Sequence, residues 1–114
     1  MAYSEALAQR VRKALARRKD LREIRMFGGL CFTVRGHMAC GVLGDDLVVR
    51  VDPEAWEEAS REPHVRPMDF TGKPLQGFLY VAKEGTRTPA GLKAWIVRAV
   101  RFAESLPPKT KRKG

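Results

Sequence analysis

The sequence predicts an α+β protein of two layers, in which a single antiparallel sheet of about five strands carries helices packed on one face. Three observations predict it. Apolar residues recur at helical spacing only near the two ends of the chain and in one short segment that opens at Asp52-Pro53. Between residues 21 and 51, short apolar runs alternate with turn residues, and those connections are too brief for the helical crossovers that parallel strands require. At 114 residues, folding removes roughly 65% of the unfolded chain's surface from water, so one core can form and a second has no room.

The elements follow in the order α-β-β-β-β-α-(loop)-β-α. Ser4 to about Arg18 places Leu7, Val11, Ala14 and Leu15 on one face and Arg10, Lys13 and Arg17 on the other, with Ser4 as N-cap and Glu5 in the first turn. Strands are expected over Ile24 to Phe27, Leu30 to Val34, His37 to Leu43 and Leu47 to Val51, joined as a meander by Gly28-Gly29, Arg35-Gly36 and Gly44-Asp45-Asp46. Asp52 as cap and Pro53 at the first helical position start a second helix that ends near Ser60. Arg61 to Gly77 holds Pro63, Pro67 and Pro74 and reads as a long surface connection, with a brief extended piece at Val65 to Phe70, before a strand at Phe78 to Ala82. Thr88-Pro89 opens the last helix, in which Leu92, Trp95, Ile96, Ala99, Phe102, Ala103 and Leu106 form one stripe. Pro107-Pro108 stops it. One domain over residues 1–106 and a basic, disordered tail over 107–114 are therefore expected.

Charge is unevenly placed. The 22 Lys and Arg against 13 Asp and Glu give +9, of which residues 1–25 hold +5, 26–88 hold −2, 89–106 hold +2 and 107–114 hold +4. Arg17, Arg18 and Lys19 suit the negative end of the first helix, which accounts for part of the excess without any ligand. No apolar run reaches the ~18 residues of a membrane span, and the first twenty residues lack the apolar stretch of a signal peptide. A cytoplasmic location is the expectation.

Two adjacent glycines between apolar runs allow a positive φ or a close backbone approach. An anion-binding loop is the sharper alternative, but such loops feed a helix, and here a strand pattern follows. The segment Met26-Phe27-Gly28-Gly29, followed by a strand, an X-Gly hairpin, Leu47 to Asp52 and a last helix bearing Leu92-Lys93-Ala94-Trp95, resembles the amino-terminal domain of the TfoX/Sxy competence regulators over about residues 8 to 105. Tyr80-Val81 adds to the likeness. The resemblance implies a curved antiparallel sheet of the secretion-chaperone kind. It also implies a regulatory context, since full-length members are coactivators of competence genes that work with a cyclic-AMP receptor regulator and carry a second, carboxy-terminal domain. This chain ends where that domain would begin. The family offers no catalytic residue to carry over.

With Arg35-Gly36 as a two-residue turn, Val34 would pair with His37, Thr33 with Met38, Phe32 with Ala39 and Cys31 with Cys40. Cys31, Thr33, Met38, Cys40 and Val42 would then form an apolar face away from the helices. Either a homodimer packed sheet face to sheet face or the 61–77 connection would cover it. The facing thiols could also act as a redox pair. Cys31 and Cys40 make a zinc site only if His37 and His64 join them, and neither histidine has a partner at ligand or triad spacing; both read as surface or capping residues. Asp45-Asp46 reads as a turn, and Trp95 as core. No catalytic, cofactor or metal site is expected, and no enzymatic activity. The main functional expectation is a domain that binds a protein partner or itself. Two alternatives remain: sequence-blind nucleic-acid binding through Arg10, Arg12, Lys13, Arg17, Arg18, Lys19, Lys109, Lys111, Arg112 and Lys113, and an enzyme with a small-molecule site near the 61–77 segment.

Overall fold

The computed structural model describes residues 3–26, 28–69 and 74–107. Ser4 starts the first helix, α1 (Glu5–Ala14), by accepting a hydrogen bond from the Leu7 amide at 3.1 Å, which satisfies a donor the helix cannot reach itself. Leu15 is the C-cap, so α1 ends a turn earlier than its apolar spacing suggests. Leu7, Ala8, Val11 and Leu15 are buried.

Four strands follow as successive antiparallel hairpins: β1 (Leu21–Met26), β2 (Gly29–Val34), β3 (His37–Leu43) and β4 (Asp46–Arg50). The β2–β3 turn has positive φ at both central residues, 56° at Arg35 and 86° at Gly36, the geometry that matches strand twist in a two-residue hairpin. Asp52 caps α2 (Pro53–Ala59) through a 2.9 Å bond from the Glu54 amide. Then come β5 (Val65–Asp69), β6 (Pro74–Val81), a single 3-10 turn at Lys83–Gly85, and α3 (Pro89–Ser105), whose cap Thr88 accepts from the Gly91 amide at 3.0 Å.

The sheet has six strands in the order β1-β2-β3-β4-β6-β5, and all pairings are antiparallel. One expectation is thereby corrected: the 61–77 connection does not fold over the sheet but extends it, since β5 lies within it and β6 begins within it. β1 to β4 form the expected meander, after which β6 pairs with β4 and leaves β5 at the edge. Pro67 is tolerated there because an edge strand can lose a donor on its open side.

Residues from all three helices form one core cluster with Leu30, Phe32, Val34, Cys40, Val42, Leu47, Val49, Leu79 and Val81 of the sheet. Every helix therefore contributes to the same face. Trp95 belongs to this core, and Trp56 packs against it while donating its indole N–H to the Phe78 carbonyl at 2.9 Å. Phe70 lies outside the described residues.

The β2–β3 register differs from the expected one. Val34 pairs with His37 and Thr33 with Met38, but a bulge then intervenes, and Phe32 pairs with Cys40, Cys31 with Gly41 and Leu30 with Val42. The additional residue, Ala39, reverses the alternation of everything after it in β3. Cys40 and Val42 therefore turn into the core. The apolar face expected from Cys31, Thr33, Met38, Cys40 and Val42 does not exist as one surface. The two cysteines lie on opposite faces of the sheet, which also removes the disulfide pair. Both are free and buried.

Candidate functional site

The first and last helices pack side by side against the sheet, and a groove of about 750 Å³ runs between them. Its floor is apolar: Ala14 and Leu15 from the end of α1, and Leu92, Ile96, Val97 and Val100 from α3. Val97 is one of two large apolar side chains that stand exposed among the described residues, at 38%. The rim is cationic, with Arg10, Lys13 and Arg18 on one side and Lys93 and Arg101 on the other. Glu104 is the one carboxylate in the lining.

The ion pairs sort these cations. Arg18 binds both Asp20 at 2.9 Å and Glu104 at 2.8 Å, so the groove's one carboxylate is already matched. The hydrogen bond from Arg18 holds the Asp20 carboxyl below its usual pKa, and the same bond, with a second to Glu104, raises that of the guanidinium. Arg12 is likewise committed, at 2.8 Å to Glu23, and that hydrogen bond raises its pKa. Among the described residues no ion pair engages Arg10, Lys13, Lys93 or Arg101. Arg10 makes only a long contact, 3.4 Å, to the Arg87 carbonyl.

The basic residues singled out from the sequence thus separate. Arg10, Lys13 and Arg18 reach the groove; Arg12 is turned to Glu23; Arg17 and Lys19 are exposed beyond the helix. Lys109, Lys111, Arg112 and Lys113 lie outside the described residues. Lys93, Val97 and Arg101 were missed, although their spacing of four places an apolar residue between two cations along one line of a helix.

The glycine motif has a structural explanation. Gly28 sits in the β1–β2 turn with φ +79°, and a Cβ at Gly29 would stand 2.5 Å from the Val42 carbonyl oxygen. Met26 pairs with Gly29 across the hairpin; Phe27 lies outside the described residues. The two glycines lead into a strand, so no helix terminus stands behind them to receive an anion. The residues matched by the family comparison include this motif, the hairpins and most of α3: the TfoX N-terminal domain family matches residues 13–103 of the chain. The chain belongs to that family. No curated protein and no solved structure gives a match. The match to the TfoX N-terminal domain starts at Lys13 on the groove's rim and ends just after Phe102, so it takes in most of the groove but not Arg10 or Glu104.

Elsewhere in this TfoX N-terminal domain the remaining candidates have structural roles. The His37 ring nitrogen Nε2 hydrogen-bonds with the Pro107 carbonyl, close to where Arg35 reaches the Glu104 carbonyl, and these contacts fasten the end of α3 to the β2–β3 turn. His64 occupies a positive φ of 67°. Asp46 pairs with Arg66 at 2.7 Å, and the Arg66 guanidinium lies 4.5 Å from the Tyr80 ring centre. Among the described residues no group of three or more His, Cys, Asp or Glu could hold a metal ion, and no helix is long and apolar enough to cross a membrane.

Proposed function

We propose that this TfoX N-terminal domain is a cytoplasmic regulatory module that acts by binding and not by turnover, and that its α1–α3 groove receives an acidic amphipathic helix of a protein partner. The observation that carries this reading is the combination in one groove of an apolar floor with four cations that are in no ion pair among the described residues. A nucleic-acid backbone would satisfy the cations but leave Ile96, Val97 and Val100 against phosphates and sugars. An amphipathic helix satisfies both, with its apolar stripe on the floor and carboxylates at the rim. The groove is long enough, since the 17 residues of α3 span roughly 25 Å at helical rise.

The test uses a synthetic helical peptide with leucines at positions i, i+3, i+4 and i+7 and glutamates elsewhere, titrated into the protein by NMR, with an unrelated DNA duplex as the competing ligand. The expected result is that the peptide shifts amides of α1 and α3, and that Val97→Glu or the pair Arg10→Glu and Lys93→Glu weakens it at least about tenfold, the scale of a ~1.4 kcal/mol loss. Shifts confined to other elements, or binding of the duplex but not the peptide at moderate salt, would overturn the reading.

A further inference from the structure

The two edges of the sheet are unlike. At β5 the outer strand carries Pro67 and an irregular register between Pro67 and Asp69, both of which discourage another strand from adding. At the other end β1 runs six residues, Leu-Arg-Glu-Ile-Arg-Met, in unbroken register with β2 and without proline or glycine. Residues 22–25 are exposed, Ile24 by 44%. Among the described residues no strand lies outside β1.

The direction of its free main-chain groups follows from the hairpin. Arg35 donates its amide to the Asp20 carbonyl at 3.3 Å, one step beyond the Leu21–Val34 pair. Because hydrogen-bonded pairs alternate in an antiparallel ladder, Arg22, Ile24 and Met26 turn their amides and carbonyls towards β2. Leu21, Glu23 and Arg25 turn theirs outwards. An antiparallel strand added symmetrically must therefore pair odd residues with odd ones, which leaves registers centred on a residue and excludes those centred between two.

Side-chain charge then discriminates among the four central registers. Centring on Arg22 or Arg25 sets arginine against arginine, and centring on Glu23 sets glutamate against glutamate, all of which are unfavourable directly across a ladder. Centring on Ile24 places Ile24 against Ile24 and Glu23 against Arg25 of the other copy, twice by symmetry. Arg25 is in no ion pair among the described residues, and Arg12 engages Glu23 through Oε2, which leaves Oε1 unengaged.

We propose that β1 is a self-association edge: two copies of the chain join antiparallel about Ile24, making one continuous twelve-stranded sheet held by main-chain bonds at Glu23 and Arg25 and by two Glu23–Arg25 pairs. This reading is independent of the groove, which lies on the helical layer. It also differs from face-to-face packing, for it uses none of Cys31, Thr33 or Met38.

Charge exchange tests it. At high micromolar concentration, sedimentation of the wild-type chain is expected to show a species of twice 12.8 kDa. Arg25→Glu and Glu23→Arg each place like charges across the axis and are expected to be monomeric, with circular dichroism confirming that each is folded. Mixed in equal amounts, the two are expected to form a heterodimer, because positions 23 and 25 are both basic in Glu23→Arg and both acidic in Arg25→Glu, so every facing pair then joins opposite charges. Amide exchange gives a second reading in the wild-type chain alone, with Glu23 and Arg25 becoming protected as concentration rises while Arg22 and Ile24 are protected throughout. A wild-type monomer at these concentrations, folded variants that still dimerise, no heterodimer from two folded variants, or concentration-independent exchange at Glu23 and Arg25 would each overturn the proposal.

Discussion

A methyl group added at Gly28 would meet open space, yet the residue's φ of +79° belongs to the left-handed region, so Gly28→Ala is expected to cost about 1–2 kcal/mol through backbone strain alone. At Gly29 the constraint is room: a Cβ 2.5 Å from the Val42 carbonyl oxygen forces β2 and β3 apart, and Gly29→Ala is expected to cost about 2–3 kcal/mol. Urea unfolding distinguishes the two, and Gly28→Asn, which tolerates the left-handed region, should recover part of the first loss and nothing of the second. Cys40 offers a pH-dependent counterpart. Burial pushes its thiol up to about 12, so the folded chain holds that proton more tightly than the unfolded chain, where a thiol titrates near ~8.5. The contribution is complete below the unfolded value and is lost as pH rises from there towards the folded one, with a slope of at most about 1.4 kcal/mol per pH unit. Wild-type stability should therefore fall more steeply than that of Cys40→Ala above pH ~9. Equal slopes in urea titrations would contradict the burial of this thiol.

At the level of elements, legibility followed the range of the interactions. The caps at Ser4, Asp52 and Thr88 and the Arg35-Gly36 turn could be read because each is decided by neighbours three or four residues away. The bulge at Ala39 could not, since it is a fitting of β3 to β2 and leaves no mark in the alternation of either strand. Reading the strands as regular therefore placed Cys40 and Val42 on the wrong face. β5 was legible only as a brief extended piece at Val65 to Phe70: Pro67 argues against a ladder strand in general, and only the edge position, a property of the whole sheet, makes it admissible. Of the groove, the α1 half was visible as Arg10, Lys13 and Arg18. The α3 half was not visible, because Lys93, Val97 and Arg101 look like the solvated side of a core helix until α1 is laid beside them.

For the whole molecule, the +9 charge still has a measurable consequence even if phosphate is not the physiological ligand. Weak duplex binding at low salt is expected, with a steep salt dependence that removes it near physiological ionic strength. Lys109, Lys111, Arg112 and Lys113 carry four of the nine excess charges; deleting residues 108–114 should flatten the slope of log K against log salt by up to about 3.6. Filter binding over a salt series measures this, and an unchanged slope would move the contacts to the folded body. The order of the strands has another consequence, for synthesis. β1 to β4 can zip up as local hairpins as soon as about fifty residues have emerged, but β4 waits for β6, whose Val81 pairs with Leu47, and the sheet's apolar side waits for Leu92, Trp95, Ile96 and Ala99. The first half of the chain is thus a strand array whose greasy side α1 covers only in part until the last helix leaves the ribosome. In that interval its protection from aggregation must come from other molecules.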